Sequence, residues 1–358
     1  MLINVLTPGF TTSNGSAFLF PFVVHKNVLR EAGITVNFVS RSTPGLTDCD
    51  VLAIDSKEFR NDMGNESQSP TVDLISSYRR PDVRVLWFDT TDSTGTLQSQ
   101  VFPVVDRYLK SQILVDKSRY ASRIYGGRIY SEYYKNSLGI EDETGSVMDR
   151  PISNEYIPKL GVSWNSGLSD YSVYGPLKVG MYRRTGLSFL LRHPRKIEAT
   201  TADRSIDLSV RFGVTHSRAT VRYQREKLRH LLSDRLDTNK LGRRGYMKEL
   251  ANSKIVVSPF GWGEITLKDF EVFLTGGMLL KPSLTHMQTW PEFYENDVTY
   301  MSHDWDLDTI EERIDWALSN NSKRLEIAEQ GQRRYIQHTS GPTAGRHFVN
   351  HLLEIVSP

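Results

Sequence analysis

The sequence predicts an α/β protein made of two doubly wound domains that face one another across a cleft. Three observations predict it. The chain begins with an apolar run, a small-residue loop and an apolar helical segment; the same order returns around residues 254–282; and 358 residues are too many for one simple core.

Composition narrows the class. Hydrophobic residues at 39% and charged residues at 24% describe an ordinary globular chain, not a disordered one. A net charge of +2 neither demands nor excludes a polyanionic partner, so local clusters must decide. The single cysteine, Cys49, excludes a disulfide framework and a multi-cysteine metal site, and it fits a reducing compartment. MLINVLTPGF has no basic leader, and the run Ala17–Val24, broken by Pro21, is too short to span a bilayer. The expectation is a cytoplasmic protein with at most peripheral membrane contact.

In chain order, Leu2–Leu6 reads as a buried strand ending at Thr7-Pro8-Gly9. A loop of Gly, Ser, Thr and Asn (9–16) precedes a helix over about 17–32 that stops at Gly33. Ile34–Val39 and Val51–Ile54 are the next strands, and Arg84–Phe88 is a further buried one. Asp89 and Asp92 follow it, placing two carboxylates at the carboxyl end of a parallel strand, where open α/β sheets bind ligands. Either could serve as a general base; the same residues also suit turns and helix caps. Residues 104–136 interleave Tyr with Arg and Lys and read as a packed helix with a solvated basic face. Leu177–Arg192 closes the first domain, and His193–Lys196 reads as a linker.

The second domain starts with a strand over Ile206–Val214. His216 and Arg218 stand after it, ahead of a basic helix (219–232) carrying Arg222 and, on a face expected to be solvated, Arg225, Lys227 and Arg229. Basic groups at this point can neutralise phosphates, although a lone histidine is equally a structural residue. The stretch that organises the chain is KIVVSPFGWGEITLKDFEVFLTGGMLLKP, residues 254–282: a β-branched strand, a loop with Gly261 and Gly263, a helix ending at Gly276-Gly277, then another strand. Helices follow over 306–318, 323–337 and, after Ser340-Gly341-Pro342, 347–356. No repeat or low-complexity segment is present.

The pattern SPFGWGE, DFE and GGMLLKP resembles the donor-binding segment of GT-B glycosyltransferases, in the group-1 and exostosin-like branches. The likeness is specific over about 246–316. It implies two Rossmann-like domains, 1–195 for the acceptor and 196–340 for the nucleotide sugar, with a terminal helix, 341–358, crossing back to the first. It implies that Glu271 binds the ribose hydroxyls and that Glu264 lies near the donor sugar, although six residues separate the pair, one fewer than is usual in group 1. Gly261, Trp262, Gly263, Lys268, His216, Arg218 and Arg222 become donor contacts, and Asp89, Asp92 and Glu264 the catalytic candidates.

The function so implied is transfer of a hexose-like sugar from a UDP- or GDP-sugar to a carbohydrate or glycolipid hydroxyl. No metal and no other cofactor is required, since Asp48/Asp50 and Asp304/Asp306/Asp308 fall in turn and capping positions. Nucleic acid is not expected as a partner. Two alternatives stand beside it: a non-hydrolysing nucleotide-sugar epimerase of the same architecture, and a non-catalytic binder of nucleotides or polyanions.

Overall fold

A computed structural model describes residues 1–60, 70–143, 150–194, 197–235 and 241–357. Within these, six parallel strands form the first sheet in the order β2-β1-β3-β4-β5-β7: β1 (Leu2–Leu6), β2 (Thr35–Val39), β3 (Val51–Asp55), β4 (Arg84–Asp89), β5 (Arg107–Lys110) and β7 (Leu160–Val162). The order reverses between β1 and β3, which opens a crevice beyond their carboxyl ends. The run Val51–Asp55 is wholly buried because both faces are covered. Val51, Ala53, Leu86 and Phe88 enter one core, while Leu52, Ile54, Val85 and Trp87 enter another.

Helices α1 (Ser13–Val24) and α2 (Lys26–Glu31) replace the single helix expected over 17–32. The first begins earlier because Thr12 caps it, accepting from the Gly15 amide at 3.1 Å, so Ser13–Ser16 are its first turn and not a loop. Helices α3 (Pro70–Ser77), α4 (Ile129–Leu138) and α5 (Gly175–Thr185) complete this lobe. The helix expected through 120–133 is broken at Gly126 and Gly127, both at positive φ. The expected linker ends, and the domain boundary at 195/196 falls, outside the described residues.

The second sheet has four parallel strands side by side in chain order: β8 (Ile206–Val210), β9 (Ser253–Val257), β10 (Met278–Pro282) and β12 (Met301–His303). Helices α6 (Ala219–Leu231), α7 (Arg243–Asn252), α8 (Leu267–Thr275), α9 (Ile310–Ser319) and α10 (Asn321–His338) lie around it. Alternation sorts its strands: Ile255, Val257, Met278 and Leu280 pack with α6, α9 and α10 on one face, and Val256 and Leu279 join the core shared by the two lobes on the other.

A short antiparallel pair, β6 (Gln112–Leu114) with β11 (Met287–Thr289), stitches the lobes together. Helix α11 (Ala344–Val356) returns to the first lobe, where Phe348 meets Phe22 and Trp164 with ring centres at 5.7 and 5.1 Å. Its last carbonyls are satisfied by Arg84 and Arg107 from β4 and β5.

Candidate functional site

The carboxyl ends of β1, β3 and β4 are tied by Asp55, which accepts from Thr7 and Thr90, both at 2.9 Å. That buried knot fixes three loops at the crevice. The expected pair of carboxylates then divides. Asp89 lies fully buried, holding Lys110 at 2.9 Å and accepting from Tyr108 and Thr91 at 2.6 Å. Burial pushes its carboxyl up, but Lys110, Thr91 and Tyr108 outweigh that and leave it below the ordinary range. With its oxygens so committed, Asp89 is a structural anchor and not the free base expected. Asp92 is exposed, accepts from the Asn14 side chain at 2.8 Å, and lines a cleft of about 410 Å³ with Thr90, Gln112, Ser163, Ser166 and Ile265.

Glu264 is a contact between the lobes. It is completely buried and accepts from the Thr94 amide at 3.0 Å, the Thr94 hydroxyl at 2.7 Å and Gln112 at 3.3 Å, all from the first lobe. Burial raises its carboxyl, yet His286, 3.7 Å away, and Thr94 hold it at about 2. A carboxylate sealed this way has no direct line to a ligand here; it grips the loop bearing Asp92. Gly263 explains its own residue type in the same place: a Cβ there would sit 2.7 Å from the Ser93 amide nitrogen, where Ser93 has φ 75°. The close approach expected toward a ligand is made to the opposite lobe. A Cβ at Gly261 would meet nothing nearer than 3.6 Å.

Trp262 is exposed, with the Arg128 and Arg218 guanidiniums over its ring at 4.4 and 4.5 Å and the His216 ring at 5.5 Å. Arg128 donates to the carbonyls of Trp262 and Gly126, and Arg218 to that of Gly126 at 2.9 Å. Burial, then Arg225, Arg128 and Arg218, lower the His216 pKa. Arg225 is not on a solvated face. It donates to Phe260 at 2.9 Å and Gly213 at 2.7 Å, bridging the loops after β8 and β9. Arg222 turns away to the carbonyl of His216 and toward Glu143 and Glu226. Lys268 donates to the Arg211 carbonyl at the end of β8, and burial pulls its pKa to about 8 against the nearby Glu271 and Asp269.

Helix α8 starts at Leu267 with a capping box between Thr266 and Asp269, and Asp269 is paired with the buried Lys281 at 3.2 Å. Its amino end is thus already occupied by its own side chains. One turn along, Glu271 faces a gap of about 850 Å³ between the lobes, walled by Phe10, Thr12, Asp170, Tyr171, Arg183 and Leu267. Glu271 pairs with Arg243, whose second arm donates to the Tyr171 carbonyl at 2.7 Å and whose buried Nε has no partner.

Sequence reasoning missed Asp55, Tyr171, Arg128 and Arg243, and it carried Asn14 only as one residue of the small polar loop after the first strand, a loop that fits the face turned toward the cleft. Only Arg243 left a signal: Arg243-Arg244 open a helix at the end where its dipole disfavours cations, which asks for an acidic partner. Among the described residues no group of three or more His, Cys, Asp or Glu could hold a metal, and no helix is long and apolar enough to cross a membrane.

Two facing lobes, each a parallel sheet between helices, with the last helix returned to the first lobe, make the GT-B architecture that the resemblance implied. No family model and no curated protein matches the sequence. Among solved structures, a glycosyltransferase from Rickettsia africae is similar over 99% of this chain and 98% of its own, at 9% identity and a TM-score of 0.48. HepE from Anabaena in complex with UDP covers 99% of both at 10% identity and 0.45. An alpha-glucosyltransferase in complex with UDP and a 13-mer DNA covers 100% and 99% at 10% identity and 0.44. These are likenesses of fold. The last corrects one expectation: a protein of similar fold is bound to DNA, so nucleic acid is not excluded as a partner.

Proposed function

We propose that this chain is a glycosyltransferase that takes its sugar from a nucleotide diphosphate donor. The observation that carries the reading is Glu271, a carboxylate facing the gap between the lobes beside Arg243, whose Nε is left unpartnered. The ribose hydroxyls donate to Glu271 as charge-assisted bonds, and the base lies along Tyr171 and Phe10. Lys268, Arg225 and Arg218 face the diphosphate and stabilise the charge that grows on it as the sugar departs. Asp92, held by Asn14, accepts the proton of an incoming hydroxyl at the cleft beside Ile265. The scheme needs no metal, and a uridine or guanosine diphosphate sugar fits it equally. The acceptor is a hydroxyl on a glycan, glycolipid or nucleic acid. A chain with one cysteine, Cys49, suits a reducing, cytoplasmic setting.

A thermal-shift screen with uridine, guanosine, adenosine and cytidine diphosphates tests this reading. One of them raises the melting temperature of the native chain, and Glu271→Ala removes that rise while keeping its own cooperative transition. No rise with any of the four, or a rise untouched in Glu271→Ala, overturns it.

A further inference from the structure

Helix α5 shows two unlike faces. Pro176, Val179, Gly180 and Arg183 line the gap that holds Glu271. The outer face bears Leu177, 62% exposed, with Met181 one turn on and Arg184 after it; past the left-handed Gly186 come Leu187 and Phe189, the latter 69% exposed. Contiguous exposed side chains of this size mark an interaction surface.

The charges say what covers it. From Tyr171 to Pro194 the chain has no Asp or Glu and four cations. Lys178 is paired with Asp170 at 2.9 Å, while Arg183, Arg184 and Arg192 have no carboxylate partner among the described residues. Leucine, methionine and phenylalanine are of no use against a phosphate backbone, and unpaired arginines are out of place against a second apolar protein face. The two together suit a bilayer whose headgroups are anionic and whose acyl boundary takes the apolar tips.

We propose that the outer face of α5 and the turn over 186–190 dock this chain on an anionic lipid surface. The mouth of the Glu271 gap then stands at the bilayer, and, on the transferase reading, the acceptor hydroxyl belongs to an amphiphile reached from that surface.

Co-sedimentation of the full chain with vesicles of phosphatidylcholine, alone or mixed with phosphatidylglycerol, tests it without any donor present. The chain pellets with the mixed vesicles and far less with phosphatidylcholine alone. Leu177→Ser with Phe189→Ser, and separately Arg184→Glu with Arg192→Glu, each lower partitioning by about tenfold or more, at roughly fivefold for each charge lost near the surface. Three results overturn the proposal: no pelleting with either vesicle; binding lost only in the arginine pair and matched by binding to a single-stranded oligonucleotide; or a dimer in solution that Leu177→Ser with Phe189→Ser dissociates. The nucleotide-induced rise in melting temperature is read on the same variants. If it persists where vesicle binding is lost, the docking surface and the donor site stand apart; if it is absent in the native chain, the transferase reading falls while vesicle binding is judged on its own.

Discussion

The lobes meet along two unlike borders. One is closed: Glu264 on Thr94, Arg128 and Tyr130 on the Trp262 loop, Thr220 on Asp142, and the β6–β11 pair join the lobes directly. The other is open, with Glu271, Arg243, Tyr171, Thr12 and Leu267 around a gap of about 850 Å³ and a buried guanidinium nitrogen unsatisfied. The closed border aligns the lobes, and the open one leaves the gap into which the proposed donor would fit.

Breaking each border separates these roles. Asp92→Asn produces the largest change: turnover falls about 10²–10⁴-fold, the usual worth of a general base, with donor binding and melting temperature kept, because the side chain is exposed. Steady-state rates beside a thermal melt check this. Glu271→Ala comes next and weakens nucleotide affinity about 10- to 150-fold, the worth of about 1.5–3 kcal/mol for hydrogen bonds to a charged group. Calorimetric titration with the nucleotide found in the screen reads it; an unchanged Kd would mean that the open border serves only to hold Arg243.

The closed border is sharpened by acid. The Glu264 carboxyl sits at about 2 in the fold against an ordinary 4.5. Its contribution is present above pH 4.5 and is lost as pH falls toward 2, on the order of 3 kcal/mol when complete. Melting temperatures followed down that range fall more steeply in the native chain than in Glu264→Gln, which keeps an acceptor for Thr94 without the titrating charge.

The same contrast explains what was legible. Strands such as Ile255–Val257 and Arg84–Phe88 were readable because burial on both faces writes a continuous apolar run. Glu271 was readable as a motif position. Its partner Arg243 comes from another helix 28 residues away, and Thr94, which fixes Glu264, lies 170 residues off, distances over which sequence carries no pairing signal. Asp89 and Asp92 look alike in the chain and are told apart by Lys110 and Tyr108, which β5 sets beside Asp89 alone. Fold was thus legible from local pattern, whereas the division of acids into anchors, latch and candidate base needed contacts between elements.

The smallest expected effect concerns Lys268, and its signs are opposed. Burial holds its ammonium at about 8 in the free protein, against an ordinary 10.5. Between those values the unfolded chain binds the extra proton, so stability of the free protein rises as pH climbs from 8 to 10.5. On the transferase reading, the folded site loses over the same range a cation proposed to face the diphosphate, so nucleotide affinity falls several-fold. Lys268→Met abolishes both slopes and lowers affinity at neutral pH to the level the native chain reaches at high pH. Titrations on either side of pH 8, run with thermal melts of the unliganded protein, check the pair. Affinity that stays flat while stability still rises would leave Lys268 as a support for the Arg211 carbonyl and shift the anion to Arg225 and Arg218.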